Sequence, residues 1–227
     1  MLIWLSLCFL TVIAAYFLGS IPTGYTVAKV LKGIDIREFG SGSTGATNVL
    51  RTLGKGPGAF VFIVDCFKGV LAILLVKWLG EFAPVSNLLP DNVVIGVWLP
   101  WLVVLAGLAA VLGHSKSIFL NFTGGKSVAT SLGVLLAMDW QVGLAAFGVF
   151  ALCLGISRIV SLSSICAAVA VSILMVVFHQ PLAYLLFAIA GGAYVIVRHQ
   201  SNMQRILAGT EPKIGEKVEV SSESVVS

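Results

Sequence analysis

Charged side chains are scarce in this chain. Asp, Glu, Lys and Arg make up 11% of its 227 residues, against about a quarter in a soluble domain, and 58% of the residues are hydrophobic. The deficit excludes a soluble globular enzyme, a disordered tail and a collagen-like fibre. Only a chain solvated largely by lipid exposes so much apolar surface. A net charge of +4 is too small to suggest nucleic acid as a partner. Metal and disulfide chemistry lack their signatures too. Cys8, Cys66, Cys153 and Cys166 each sit in an apolar run, none forms Cys-x-x-Cys, and no histidine stands at ligand spacing from any of them. They read as small buried hydrophobes.

What is present is a series of long apolar runs. A spanning helix needs about 20 mostly apolar residues. Residues 2–19 carry no charge, and the uncharged stretch continues to Ala28. No Lys or Arg precedes this run and it is too long for a signal peptide, so it reads as the first membrane helix. Further runs cover 57–79, 93–113, 140–157, 160–178 and 181–197, with a shorter one at 127–138. At about 1.5 Å per residue the short run reaches only about 18 Å, so it is either a helix that starts inside the protein or a re-entrant segment.

Charge placement decides between these. If the short run counts as a span, one side carries Lys29, Lys32, Arg37, Arg51, Lys55, Lys116, Lys126, Arg158, Arg198, Arg205, Lys213 and Lys217, all but two of the 14 basic residues. The opposite loops carry only Glu81, Asp91 and Asp139. The expectation is an all-α integral membrane protein with seven transmembrane helices, N-terminus periplasmic and C-terminus cytoplasmic. Residues 1–215 form one membrane-embedded domain, and 216–227 a polar, disordered cytoplasmic tail in which, with Lys213, charge is dispensable. Of the two remaining lysines, Lys77 lies near an outer helix end and can snorkel. Lys68 lies deeper, three residues after Asp65 and on the same face, and reads as half of a structural ion pair bracing a cytoplasmic loop.

Three polar segments share the basic side. The first, residues 40–51, is rich in Gly, Ser and Thr and contains Ser41, Thr47, Asn48 and Arg51. Glycines let backbone amides converge on an anion, and arginine adds a forked charge for phosphate oxygens. The second, Gly124-Gly125-Lys126-Ser127, opens the short helix, whose N-terminal amides favour a negative ligand. It is not a nucleotide P-loop, because Leu120 stands where that motif needs glycine and no strand precedes it. The third, residues 198–205, has His199 and Asn202 three apart, on one face if the helix continues. Ser161, Ser163 and Ser164 make a smaller cluster beside Arg158. Together these segments point to a phosphate-binding cavity open to the cytoplasm. The His-x4-Asp of many glycerolipid acyltransferases is missing: five residues after His114, His179 and His199 stand Phe119, Tyr184 and Gln204. The multi-aspartate signature of CDP-alcohol phosphotransferases is missing as well. A transporter of a small phosphorylated metabolite is the alternative, but the polar residues sit at one end rather than at the midplane.

The strings GSIPTGY (19–25), GSGSTGATNVLRTLG (40–54), DCFKG (65–69), GHSKSIFLNFTGGKSVAT (113–130), SLSS (161–164) and RHQSNMQRILAGTE (198–211) resemble the bacterial acyl-phosphate:glycerol-3-phosphate acyltransferases, the PlsY family. Six ordered blocks over nearly the whole chain make the resemblance specific. It implies an enzyme of phospholipid biosynthesis in the bacterial inner membrane, with its site facing the cytoplasm. Such an enzyme transfers an acyl group from fatty acyl phosphate to the 1-hydroxyl of glycerol 3-phosphate, giving lysophosphatidate and phosphate without a cofactor. The enzyme that makes acyl phosphate is a candidate partner.

By position, the resemblance makes Ser41, Arg51, Lys126, His199 and Asn202 the catalytic set. Thr47, Asn48, Gly124, Gly125 and Ser164 fall at substrate or phosphate-binding positions, with Ser161 and Ser163 beside the last, and Glu211 at a structural acid. The chain departs from the family pattern at Ser43 (usually Asn), Ser127 (commonly Gly) and Gln200 (often Arg), and the last removes a positive charge expected near the site. The proton acceptor is either His199, the one histidine within the three segments, or a substrate phosphate oxygen.

Overall fold

The computed structural model describes residues 1–215, so the expected tail at 216–227 lies outside the described residues. The chain forms α1 (Leu2–Ser20), α2 (Thr23–Lys32), α3 (Ala46–Leu53), α4 (Lys55–Val85), α5 (Ile95–Ser115), α6 (Val128–Met138), α7 (Trp140–Ser157), α8 (Val160–Val177), α9 (Leu182–Arg198) and α10 (Gln200–Leu207). Helices dominate because a lipid-facing backbone must satisfy its own polar groups.

Five stretches are long and apolar enough to cross a membrane: Leu2–Lys32, Lys55–Pro84, Ile95–Ser115, Trp140–Ser157 and Val160–Val177. A sixth candidate is α9 with α10, bent by 59° at their junction. The expected count of seven includes α6, whose 11 residues rise about 16 Å. The first uncharged run is interrupted where the sequence alone suggests continuity. Pro22 cannot donate a backbone hydrogen bond, so α1 ends at Ser20 and the chain restarts as α2.

The helices pack in pairs, α1 on α5, α4 on α6, α7 on α8 and α8 on α9. The α4–α6 contact is a close backbone approach: a Cβ on Gly69 would come within 2.8 Å of the Val134 amide nitrogen. In lipid such contacts draw on close packing rather than on a hydrophobic drive between helices. The main core gathers Val76, Val103, Val134, Val142 and Phe187. Outward faces carry large apolar residues such as Phe9, Ile63 and Ile156. A second, smaller core of Ala28, Ile36, Val49 and Val61 fixes α2 and α3 to α4 and supports the first polar segment.

Candidate active site

The three polar segments meet around one cavity whose empty space, its open mouth included, is about 730 Å³. Ser41, Thr47, Asn48, Arg51, Lys126, Ser164, His199, Asn202 and Glu211 all lie on its wall. In the first segment the organising residue is Asn48, 1% exposed. Its amide donates to the carbonyls of Ile36, Phe39 and Ser43, and its Oδ1 accepts the Ser41 N–H at 2.9 Å. With its N–H donors engaged, Asn48 shapes the loop that carries Ser41 and leads into α3. Arg51, in the last turn of α3, donates to the Pro212 carbonyl at 3.0 Å.

In the second segment the chain reverses after α5 through an antiparallel bridge between Ser117 and Thr123, which returns the glycines to the end of α5. The Gly125 N–H donates to the His114 carbonyl at 3.2 Å, and the Arg198 Nη2 donates to the Gly125 carbonyl at 3.2 Å. A Cβ on Gly125 would strike the His114 ring. Gly124 and Gly125 thus stand behind the cavity wall, while Lys126 and Ser127 stand on it. Their smallness allows the close packing that aims Lys126, and Val128 and Ala129 at the N-terminus of α6 remain on the cavity wall. Ser127 adopts a left-handed φ of 63°, a conformation that favours glycine, which is the residue the family pattern commonly has there. Here the hydroxyl is held, donating to the Val111 carbonyl at 2.7 Å and pairing with Ser115.

In the third segment the helix does not continue smoothly. It bends at His199, between α9 and α10, and His199 and Asn202 are each 3% exposed. Lys126 donates to the Asn202 Oδ1. Asn202 Nδ2 and Ser161 Oγ donate to Glu211 Oε1 at 2.7 and 2.8 Å, and Arg205 Nε donates to Oε2 at 2.7 Å. Burial pushes the Glu211 carboxyl up, but these three hydrogen bonds together leave it below its ordinary value. Burial lowers the Lys126 ammonium to about 8, against the pull of Glu211. Burial likewise lowers the His199 imidazole to about 4. Its Nδ1 lies 2.7 Å from the Val195 carbonyl; a carbonyl only accepts, so Nδ1 carries the proton and Nε2 the lone pair.

Comparison with known proteins assigns this arrangement. The model of the glycerol-3-phosphate acyltransferase family matches residues 9–209. The chain is 71% identical to the glycerol-3-phosphate acyltransferase of Trichormus variabilis, over 97% of this chain and 98% of that one. It is 58% identical to that of Acaryochloris marina, over 99% and 100%. It also resembles the crystal structure of PlsY, an integral membrane glycerol 3-phosphate acyltransferase. The glycerol 3-phosphate form of that protein matches at 40% identity and a TM-score of 0.80, covering 92% of this chain and 96% of that one. Its lysophosphatidic acid form gives 39% and 0.77, covering 92% and 95%.

The chain belongs to the glycerol-3-phosphate acyltransferase family. It is an all-helical integral membrane acyltransferase, and the transport alternative is not favoured. Its polar cavity adjoins an apolar one, and the two join. An apolar groove of about 680 Å³ between α6, α7, α8 and α9 shares Phe62, Val128, Phe150 and Ser164 with the polar cavity. Ser164 Oγ donates to its own helix at Val160, 2.8 Å away, leaving its lone pairs at this junction.

Asp65 and Lys68 form a buried ion pair at 2.5 Å, and Lys68 also donates to the Ile21 carbonyl at 2.5 Å. Asp65 reaches the cavity wall and so does His114, whose Nδ1 is 3.8 Å from the Asp65 carboxylate. Sequence reasoning set His114 apart because it precedes the glycines by some ten residues; the reversal at Ser117 and Thr123 brings it back. Gln200 is exposed and absent from the cavity wall. Lys213 is exposed on a segment held by the Ile214 N–H to the Arg158 carbonyl at 2.8 Å, whereas Lys217 lies outside the described residues. Among the described residues no three His, Cys, Asp or Glu side chains are grouped to hold a metal ion.

Proposed function

We propose that this acyltransferase moves the acyl group of a fatty acyl phosphate onto the 1-hydroxyl of glycerol 3-phosphate, releasing lysophosphatidate and inorganic phosphate. One observation carries the reading: a cavity holding Arg51 and Lys126 opens directly into an apolar groove. Two phosphates and one acyl chain then have places that meet beside Ser164. An acyl phosphate is already an activated mixed anhydride, so the protein's task is to hold the hydroxyl about 3–3.5 Å from the carbonyl carbon. The hydroxyl oxygen bonds to that carbon, the carbon–oxygen bond to phosphate breaks, and the leaving phosphate takes the bonding pair. Arg51 and Lys126 stabilise its charge, with Ser41 and Thr47 as neutral donors at the rim.

Asn202 and Glu211 aim Lys126, Gly124 and Gly125 fix its loop, Asn48 shapes the first segment, and Asp65 with Lys68 braces the cavity from α4. The proton goes to His199 Nε2 or to a substrate phosphate oxygen. An imidazole held at about 4 is a weak base near neutral pH, and a phosphate with its second ionisation near about 6 suits better. The orientation that fits is seven spans with α6 as the short one, N-terminus periplasmic, and the cavity facing the cytoplasm of the bacterial inner membrane. The basic residues beside the cavity support it. Residues 1–215 act as one domain, and the enzyme that makes acyl phosphate is the natural neighbour.

The test uses purified protein in detergent with labelled glycerol 3-phosphate. Palmitoyl phosphate should yield labelled lysophosphatidate and one phosphate per turnover. Comparable rates with palmitoyl-CoA would overturn the choice of donor. The His199→Gln variant should lose more than nine-tenths of activity through loss of a positioned ring rather than of a base, so its pH–rate profile should keep the wild-type shape. Retention above about a tenth would exclude a general-base contribution of the usual 10²–10⁴-fold and assign the proton to phosphate.

A further inference from the structure

With acyl transfer as its premise, the shape of the groove carries a statement about chain length. Its mouth is the set of residues shared with the polar cavity, among them Val128 of α6 and Ser164 of α8. Its deep end is Leu135, Ala146, Val171 and Phe187, one from each of α6, α7, α8 and α9. All four are buried and belong to the main core, whereas the groove's other lining residues, Ala188 excepted, do not. The core therefore closes the groove like a floor.

On α6 and α8 the mouth and floor residues, Val128 with Leu135 and Ser164 with Val171, are seven apart, or about 10 Å at 1.5 Å per residue; on α7 Phe150 and Ala146 are four apart, so the floor is shallower on that side. An extended hydrocarbon with C–C bonds of about 1.5 Å advances about 1.25 Å per carbon, so about nine carbons reach the floor. The flank beside Phe147, 41% exposed, is open, so a longer chain bends out past it towards the lipid.

We propose that the groove acts as a ruler for the first nine or so carbons of the acyl group, with Phe187 and its three floor partners as the stop. Chains up to that length are discriminated carbon by carbon, and longer ones are accepted alike. Each methylene added inside the groove raises kcat/KM through close packing against its walls, by less than the about four-fold that transfer from water would give. Those added beyond the floor lie in lipid or detergent and change it little.

The experiment measures kcat/KM for acyl phosphates from four to sixteen carbons with the purified protein, in mixed micelles at a fixed detergent ratio. The profile should climb and then break near nine or ten carbons. Phe187→Ala opens space towards Gly107, whose added Cβ would lie 3.1 Å from the Phe187 ring, and should move the break outward by about three carbons at ~1.25 Å each. Phe187 is a core residue and its variant is open to misfolding, so Gly191→Leu makes an independent test. A Cβ there meets only the Phe187 ring, at 3.8 Å, and Gly191 lies about halfway between Val195 and Phe187. That variant should pull the break in to about five carbons, from the same helix rise. A wild-type profile that climbs without a break to sixteen carbons overturns the ruler, as does a break that Gly191→Leu leaves in place. Absence of product with every acyl phosphate overturns the acyl-transfer premise instead, so the two failures are distinguishable.

Discussion

Two trios of histidine, lysine and acid each place their histidine and acid on the cavity wall, and they are wired differently. In the one on α4 and α5, Lys68 bonds Asp65 directly at 2.5 Å, with His114 Nδ1 3.8 Å from the same carboxylate. In the other, Lys126 bonds the neutral Asn202, and Asn202 in turn bonds Glu211. Among the described residues no carboxylate comes within ion-pair distance of Lys126. The first trio is neutralised internally and holds helices together. The second keeps a cation oriented with its charge unmatched, which is what a phosphate requires. One interposed amide is the difference between the two arrangements.

The largest effect that would break this contrast is on stability. Lys68→Ala leaves Asp65 buried without its cation, a change that typically costs about 3–5 kcal/mol. The detergent-solubilised variant should melt far below wild type. Combining Asp65→Asn with Lys68→Met should recover most of the loss, because neither charge then remains. If Lys68→Ala melts normally and only its activity falls, the brace is itself a receptor.

For the second trio the expected effect is on turnover. Removing a charge-assisted phosphate contact costs about 1.5–3 kcal/mol, roughly 10- to 150-fold. Lys126→Ala and Arg51→Ala should lose that much of kcat/KM for glycerol 3-phosphate, with membrane insertion and melting unchanged. A matching drop in melting temperature would erase the distinction between the trios.

A pH profile sharpens the contrast without mutation. With the Lys126 ammonium held at about 8, its charge is present below that pH and lost above it. The kcat/KM for glycerol 3-phosphate should fall about ten-fold per pH unit on the alkaline side. In Lys126→Arg the guanidinium stays charged throughout, so whatever activity it retains should show no such limb. A flat wild-type profile to pH 9.5 would place the essential cation elsewhere.

The smallest effect concerns the loop that carries Lys126. Ser127→Gly relieves a left-handed φ that costs about 1–2 kcal/mol outside glycine, and it loses a hydroxyl bond worth about 0.5–1.5 kcal/mol. These offset, so the melting temperature should shift by only a few degrees.

Much of this site was legible because its chemistry is local in sequence. Ser41, Thr47 and Arg51 lie in one segment, Lys126 follows its glycines, and His199 and Asn202 are three apart, so each motif shows itself in a short string. The Asp65–Lys68 pair was readable for the same reason, a helical spacing of three. The hydrogen-bond partners of Asn48 and Gly125, the Phe39 and His114 carbonyls, are not legible in the sequence, because they depend on how loops fold back. His114 was missed because only a chain reversal returns it to the cavity. The apolar groove left no trace in the motifs, since its floor takes one residue from each of four helices.

The sequence by itself determined that this chain lives in lipid and that its long helices are largely apolar, with the charged residues concentrated in the segments between them. Composition and charge placement act through solvation, which each residue experiences wherever its neighbours are. Only the tertiary structure decided that Lys126 meets Asn202 rather than a carboxylate, that the apolar groove joins the polar cavity, and that Gly125 packs against His114. Those outcomes depend on distances of a few ångströms between residues far apart in the chain, and helix packing alone sets such distances.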